Sequence, residues 1–312
     1  MRVLVVTNMY PSERHPTDGI FIKRQIDALA LHYSDVTTYV SYVDTVRKKS
    51  RYITGARKVA RDFSIFRPDI VHIHYGLSQL LCWRLPNIPT VVTFHGSDLT
   101  IAWQQKLGTL LLNRRHRVVV VTERLRVFLQ NRDDAVAIPC GVDASAFNWD
   151  REVARAHIGI DTLETLVVFG ANPARPVKRY DRFLEVISAM QLNCPRIKVL
   201  RLSDVALLSV PILLAAADLV LLTSDREGSP VVTKEALCSG ARVVSTPVGD
   251  VSDQLDGFSG CAVAGWQTGD LASAALRVIA EPAPDRQIAR QRFDVSNESA
   301  ALMKIYRSMV QF

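Results

Sequence analysis

The chain has 312 residues, 48% hydrophobic and 22% charged, with 38 Lys and Arg against 31 Asp and Glu. That length exceeds what one core comfortably serves and predicts two domains, while the absence of any run of about 18 apolar residues argues against a membrane-spanning helix. Five scattered cysteines (Cys82, Cys140, Cys194, Cys238, Cys261) lack metal-ligand spacing and suit free thiols in a reducing cytoplasm.

The net charge of +7 is unevenly spread. Residues 1–150 carry 20 Lys and Arg against 13 Asp and Glu, whereas residues 151–312 carry 18 of each. A basic first half suits an anionic partner: a lipid headgroup, a phosphorylated acceptor or nucleic acid.

In chain order, 3–7 reads as a buried strand, reaching Asn8 and Pro11 too early for a signal peptide. A polar loop follows to Gly19. Apolar spacing predicts a helix over 20–31, then a strand over 36–43 and a basic helix over 48–66. Strands are expected at 69–74, 90–95, 118–122 and 136–138, with helical segments at 77–85, 107–115 and 125–129. The polar stretch 147–161 reads as the domain boundary. Strands then recur at 166–170, 197–202, 219–223, 242–246 and 260–264, with helices at 182–190, 211–217, 234–239, 270–279 and 298–310. Alternating strands and helices imply parallel sheets that bind ligands at their strand carboxyl ends. The domains are expected at 1–155 and 156–295, with a helix over 296–312 packing back toward the first.

Several strand ends carry candidate chemistry. Asp225-Arg226-Glu227-Gly228-Ser229-Pro230 leaves an apolar strand and runs into a helix containing Glu235. A helix N-terminus there favours an anion, and two glutamates suit hydroxyl groups. Read alone, the stretch fits a capped helix with a solvated glutamate equally well. Arg175 and Lys178 lie on the loop leaving 166–170 and could hold a diphosphate, Arg by forking and Lys as a point charge. His95 ends a strand and precedes Gly96, which lets a ligand approach; a lone histidine is nevertheless more often structural. His72 and His74 alternate on one strand without a completing ligand set, which favours sheet-interior roles. Gly19 opens a helix and could present backbone N–H groups, although an ordinary N-cap explains it as well. The basic pieces 47–61 and 106–117 mix cations with apolar residues, as at a membrane surface, or as on a solvated helix face.

Together these residues resemble the family 4 glycosyltransferases across nearly the whole chain. The most specific match is Glu227-Gly228-Ser229-Pro230 through Lys234-Glu235-Ala236. Ala216-Ala217-Asp218, Val243 to Asp250, Phe94-His95-Gly96-Ser97-Asp98 and Pro139-Cys140-Gly141-Val142-Asp143 also match, with Cys140 where the family usually has Asn. The short second domain is similar to a bacterial surface-polysaccharide subgroup of the teichuronic acid and capsule type. The resemblance implies a GT-B fold: two Rossmann-like, doubly wound parallel-sheet domains facing across a cleft. It also implies retaining, metal-independent sugar transfer from a nucleotide-diphosphate donor, with no cofactor, to a lipid-linked or polysaccharide acceptor. In that reading His95 and Glu227 are catalytic, and Arg175, Lys178 and Gly19 hold the diphosphate. Glu227, Gly228, Ser229 and Pro230 line the sugar, and Glu235 takes the ribose. The expected setting is cytoplasmic at the inner membrane face, with no nucleic acid. The alternatives are a nucleotide-sugar 2-epimerase-like isomerase or a non-catalytic partner subunit. Asp18-Gly19 replaces the two glycines of many members, and the chain is short between Ile187 and Leu213.

Overall fold

The computed structural model describes residues 1–310 except Arg14, Val46, Lys49, Gln130 and Asn131, with Asp204 described by its backbone only. Lys49, part of the basic stretch read from the sequence, therefore lies outside the described residues. The chain divides into two compact units, 1–141 with 295–312, and 142–294.

The first unit is a six-stranded parallel sheet of β1 (Arg2–Thr7), β2 (Thr37–Tyr42), β3 (Ile70–His74), β4 (Thr90–Phe94), β5 (His116–Val120) and β6 (Val136–Ala137), in the order β2-β1-β3-β4-β5-β6. β3 and β4 are buried along their whole length, as β-branched runs in a two-sided parallel sheet should be. The C-terminal helix Val295–Val310 packs Leu302, Met303 and Tyr306 into this unit's core with Val3, Val5 and Ile70. Its Glu298 accepts the Gly141 N–H at 2.7 Å and the Gln25 amide at 2.5 Å. That contact gives Pro139-Cys140-Gly141 a structural reason.

The second unit is a five-stranded parallel sheet of β7 (Thr165–Phe169), β8 (Ile197–Arg201), β9 (Leu219–Leu222), β10 (Arg242–Ser245) and β11 (Cys261–Val263), ordered β11-β10-β9-β7-β8. Strand alternation sends Leu166, Val168, Val220 and Leu222 to one core, and Val167, Phe169, Leu219 and Leu221 to another, so both faces are covered. None of the five cysteines, all of them among the described residues, is in a disulfide.

The structure departs from the sequence reading where side chains compete with the helix. The segment over 77–85 is a 3-10 turn, Gly76–Leu81, tied by Gln79 donating to the carbonyls of Gly76 (2.9 Å) and Gly108 (2.8 Å). The helix expected over 107–115 is Ala102–Leu110. Asn113 stops it by accepting the N–H groups of Arg115 and His116. The segment 125–129 is likewise a 3-10 turn, Glu123–Phe128. The polar stretch 147–161 contains the helix Arg151–Ile158, and a further helix, Arg286–Phe293, follows at 286.

Arg151–Ile158 is held by Asp218. That carboxylate accepts Arg155 at 2.9 Å and the Leu166 N–H at 2.7 Å, and it also pairs with Arg151. Arg155 is only 9% exposed and also donates to carbonyls of Ala216, Asp161 and Glu164. Asp218→Ala strands this guanidinium and is expected to cost about 3–5 kcal/mol in urea unfolding. Removing Arg307, whose pair with Asp35 is half exposed at 51% and 60%, should cost no more than about 1 kcal/mol. Similar costs for the two would refute the assignment of Asp218 as a buried clamp.

Candidate functional site

In the second unit the chain leaves β7 for β8 on one side and returns as β9 on the other. The loops after β7 and β9 therefore diverge, which is where doubly wound sheets leave room for a ligand. Arg175 is exposed on the first loop, and Lys178 ends the 3-10 turn Pro176–Lys178. The second loop grips the first. Thr223 donates its hydroxyl to the carbonyls of Lys178 (3.1 Å) and Arg179 (2.9 Å), and the Asp225 N–H reaches Val177 at 2.9 Å. Arg182 ties both together by donating to the Thr223 carbonyl at 2.7 Å and to Asp225 at 2.9 Å.

This clamp brings Lys178 and Glu227 into direct contact. Lys178 Nζ donates to Glu227 Oε1 at 2.5 Å, and Ser224 Oγ donates to the same oxygen at 2.6 Å. The two side chains are only 14% and 12% exposed. Glu227 Oε2 has no protein partner among the described residues.

Beyond Glu227 the turn enters the helix Val231–Ser239, with Pro230 at the N-cap, no side-chain cap and no acid in the first turn. The helix's own first turn thus supplies no acid to offset its positive end. Glu235 sits buried on the helix. Ser229 Oγ accepts Lys234 Nζ at 3.1 Å and Gln254 Nε2 at 3.2 Å, and donates to Asp250. Gln254 also donates to Asp250 Oδ1 at 2.7 Å and is bonded to Thr233. Burial pushes the Asp250 carboxyl up, while Lys234 and the hydrogen bonds pull it down. The Ser229 hydroxyl is therefore committed within the protein, and what it can offer a ligand is its backbone N–H. Gly249, at φ 52°, sets its Cα against the Gly228 carbonyl, where a Cβ has no room. Pro247-Val248-Gly249-Asp250 is thus a support under the turn.

Ser224, Gln254, Thr223 and Arg182 were not singled out from the sequence, and Lys234 entered only as part of the matching stretch. The signal for Lys234 was a lysine among Val231, Val232, Ala236 and Leu237; it is 1% exposed, and lysine is almost never so buried unless paired.

In the first unit β1 is followed by β2 on one side and flanked by β3 on the other, so its switch point lies between β1 and β3. Gly19 follows β1 at φ 62°, and a Cβ there would lie 2.5 Å from the Met9 carbonyl oxygen. Both the positive φ and the close backbone approach demand glycine. The helix Ile20–His32 begins there without a side-chain cap, and Asp18 instead pairs with Arg47 at 2.7 Å.

His95, half-buried after β4, sits among the rings of Phe21 and Tyr75, with centroids 4.8 and 4.7 Å away. Its backbone is fixed by Asp98, which accepts N–H groups of His95, Gly96 and Gly76. Burial pushes Asp98 up to about 6 against the pull of those donors. His95 Nε2 meets His74 Nδ1 at 3.0 Å. His74 stacks on His72, which lies between Tyr306 Oη (2.6 Å) and Thr93 Oγ1 (2.7 Å). Burial lowers His72 and His95 to about 3, and the two remain neutral at pH 7. Among the described residues no group of three His, Cys, Asp or Glu is arranged to hold a metal ion. Gly19 and His95 thus belong to the first unit, while Arg175, Lys178 and the stretch from Glu227 to Glu235 belong to the second.

Residues 2–146 match the family model Glycosyltransferase Family 4, and residues 151–281 match Glycosyl transferases group 1. A Bacillus subtilis protein named for teichuronic acid biosynthesis, the glycosyltransferase TuaC, is 23% identical over 81% of this chain and 82% of its own length. The N-acetyl-alpha-D-glucosaminyl L-malate synthase of Bacillus anthracis is 23% identical over 74% of this chain and 69% of its own. Among solved structures, sucrose-phosphate synthase from Thermosynechococcus elongatus is similar with a TM-score of 0.78 at 13% identity, covering 99% of both chains. Anabaena HepE, solved with UDP-glucose, is similar with a TM-score of 0.72 at 15% identity, covering 99% of this chain and 100% of its own. At those identities the structural likeness speaks for the fold alone, which is GT-B in type.

Proposed function

From a chain that belongs to glycosyltransferase family 4, we propose a retaining enzyme that moves a sugar from a nucleotide-diphosphate donor to a lipid-linked or polysaccharide acceptor in bacterial surface-glycan synthesis. The observation that carries this reading is the Lys178–Glu227–Ser224 contact at the β7/β9 switch point, beside an uncapped helix N-terminus. Transfer leaves a diphosphate whose charge grows as the glycosidic bond breaks. Fixed cations and helix amides lower that cost because they need no reorganisation during the reaction. Lys178 and the exposed Arg175 are the cations in this assignment, and the N–H groups after Pro230 supply the helix end. Glu227 Oε2 accepts a sugar hydroxyl, and the backbone of Gly228, Ser229 and Pro230 walls the sugar. Glu235 takes the ribose hydroxyls. Of the first unit's residues, the family resemblance assigns His95 to the sugar and Gly19 to the diphosphate.

The name of the Bacillus subtilis relative supports the surface-glycan setting, and the UDP-glucose complex of Anabaena HepE supports the donor class. Among the described residues no helix is long and apolar enough to cross a membrane. With the excess charge in the first half, we assign peripheral contact with the cytoplasmic membrane face.

A panel of nucleotide sugars, read by nucleotide-diphosphate release and by NMR of the product anomer, tests the activity. Chelator in the assay should leave the rate unchanged. Glu227→Ala is expected to lower kcat/KM about 10²–10³-fold. A wild-type rate would remove Glu227 from the site, and an inverted anomer would remove retention.

A further inference from the structure

The ring of His95 is not free to choose where its proton sits. Its ring hydrogen bond among the described residues is the 3.0 Å contact between its Nε2 and His74 Nδ1. His74 is fully buried on β3, and its own Nε2 has no hydrogen-bond partner among the described residues. His72 cannot relieve it, because both His72 nitrogens are engaged by Tyr306 and Thr93. With both rings neutral, one of the two facing nitrogens donates and the other accepts. If His95 Nε2 donated, His74 would carry its proton on Nε2, a buried N–H with nothing to meet. If His74 Nδ1 donates, the sealed Nε2 is only a bare lone pair. Orphaned buried N–H groups are rarer than under-satisfied acceptors, so the second arrangement is the one the packing selects.

We propose that His74 donates its Nδ1 proton to His95 Nε2, which locks His95 as the neutral Nδ1–H tautomer and makes His74 a positioning residue. The lone pair of His95 that could have taken a proton is spent on His74. His95 then meets a ligand as a hydrogen-bond donor to oxygen and not as a general base. This consequence rests on the reading that His95 faces the donor sugar; the tautomer itself does not. The tautomer of an imidazole set by a buried neighbour is a known determinant of rate in other enzymes.

The test is a long-range ¹H–¹⁵N correlation spectrum of the ¹⁵N-labelled protein at pH 7.5, with His95 assigned by its loss in His95→Gln. The wild type is expected to show His95 protonated on Nδ1. His74→Asn, whose side-chain N–H can take the place of Nδ1–H, should keep that pattern. His74→Leu should release His95 to the Nε2–H form that predominates in free histidine. A wild-type His95 protonated on Nε2, or a pattern unchanged in His74→Leu, overturns the proposal. Should His74→Leu fail to fold, the wild-type and His74→Asn spectra still decide. In the transfer assay His74→Leu should lower kcat about 10- to 100-fold with KM little changed, and His74→Asn should restore most of it. Full activity in His95→Ala would remove the sugar-facing role while leaving the spectrum to judge the tautomer.

Discussion

Lys178→Ala should lower kcat/KM for sugar transfer about 10²–10³-fold and destabilise the second unit at the same time. The two losses have different causes. On the proposed assignment, the catalytic loss comes from removing a fixed cation from the place where diphosphate charge develops. The stability loss comes from Glu227, which among the described residues keeps only Ser224 as a partner while it is 12% exposed. A sealed pair costs about 3–5 kcal/mol to break and an exposed one at most about 1. This pair lies toward the sealed end, so about 2 kcal/mol is expected. The double variant Lys178→Ala/Glu227→Gln separates the effects, because glutamine leaves no unpaired charge. Its urea midpoint should return most of the way to wild type while transfer stays lost. Coupling between the two positions is expected because they touch directly. Recovery of activity together with stability would mean that the pair only holds the two loops together.

The contrast between what the sequence disclosed and what it hid follows from the range of the interactions. β1, β4 and β9 were legible because Val3 to Val6, Val91-Val92 and Leu219 to Leu222 are buried on both faces and leave continuous apolar runs. The helices Arg151–Ile158 and Arg286–Phe293 were not, because few apolar side chains mark their buried faces. Their caps were nonetheless written in the chain. Asp150 accepts N–H groups of Glu152 and Val153, Gly159 closes the first helix at φ 70°, and Asp285 caps the second. Within the site, Glu227, Glu235, Arg175 and Lys178 stood out as types at strand ends. What spacing could not give was the contact of Lys178 with Glu227, 49 positions apart, or the commitment of the Ser229 hydroxyl to Lys234 and Gln254. Nor could it show that His72 and His74, two alternating residues on β3, sit between Tyr306 on the last helix and His95 after β4. Each of those depends on the tertiary fold.

Acid should unfold the first unit through that histidine cluster. Free histidine titrates near 6.5, but burial lowers His72 and His95 to about 3 and holds His74 well below its usual value. Between pH 6.5 and 3 the unfolded chain therefore binds protons that the native unit refuses. Unfolding free energy rises with pH wherever the unfolded state holds more protons. Stability is accordingly at its full value above pH 6.5 and is lost as pH falls. Asp98 works the other way: raised to about 6, it takes a proton in the native state before it would in the unfolded chain. The Tyr306 hydroxyl, raised by burial, stays neutral throughout. The three histidines of the cluster against Asp98 leave a net two protons near pH 5, or about 2.7 kcal/mol per pH unit, and His116, lowered by its own burial and by Arg132, adds in the same direction. Two such units remove about 5 kcal/mol, the lower end of ordinary domain stability, so acid unfolding of this unit is expected near pH 4 to 5. Trp149→Phe/Trp266→Phe leaves Trp83 and Trp103 as fluorescence reporters of the first unit alone. Urea midpoints in that background should fall steadily from pH 7 to pH 5, and His72→Gln should reduce the slope by about 1.4 kcal/mol per pH unit. A flat midpoint over that range would mean that two of the three imidazoles are protonated in the native state, and one that rises as pH falls would mean that all three are.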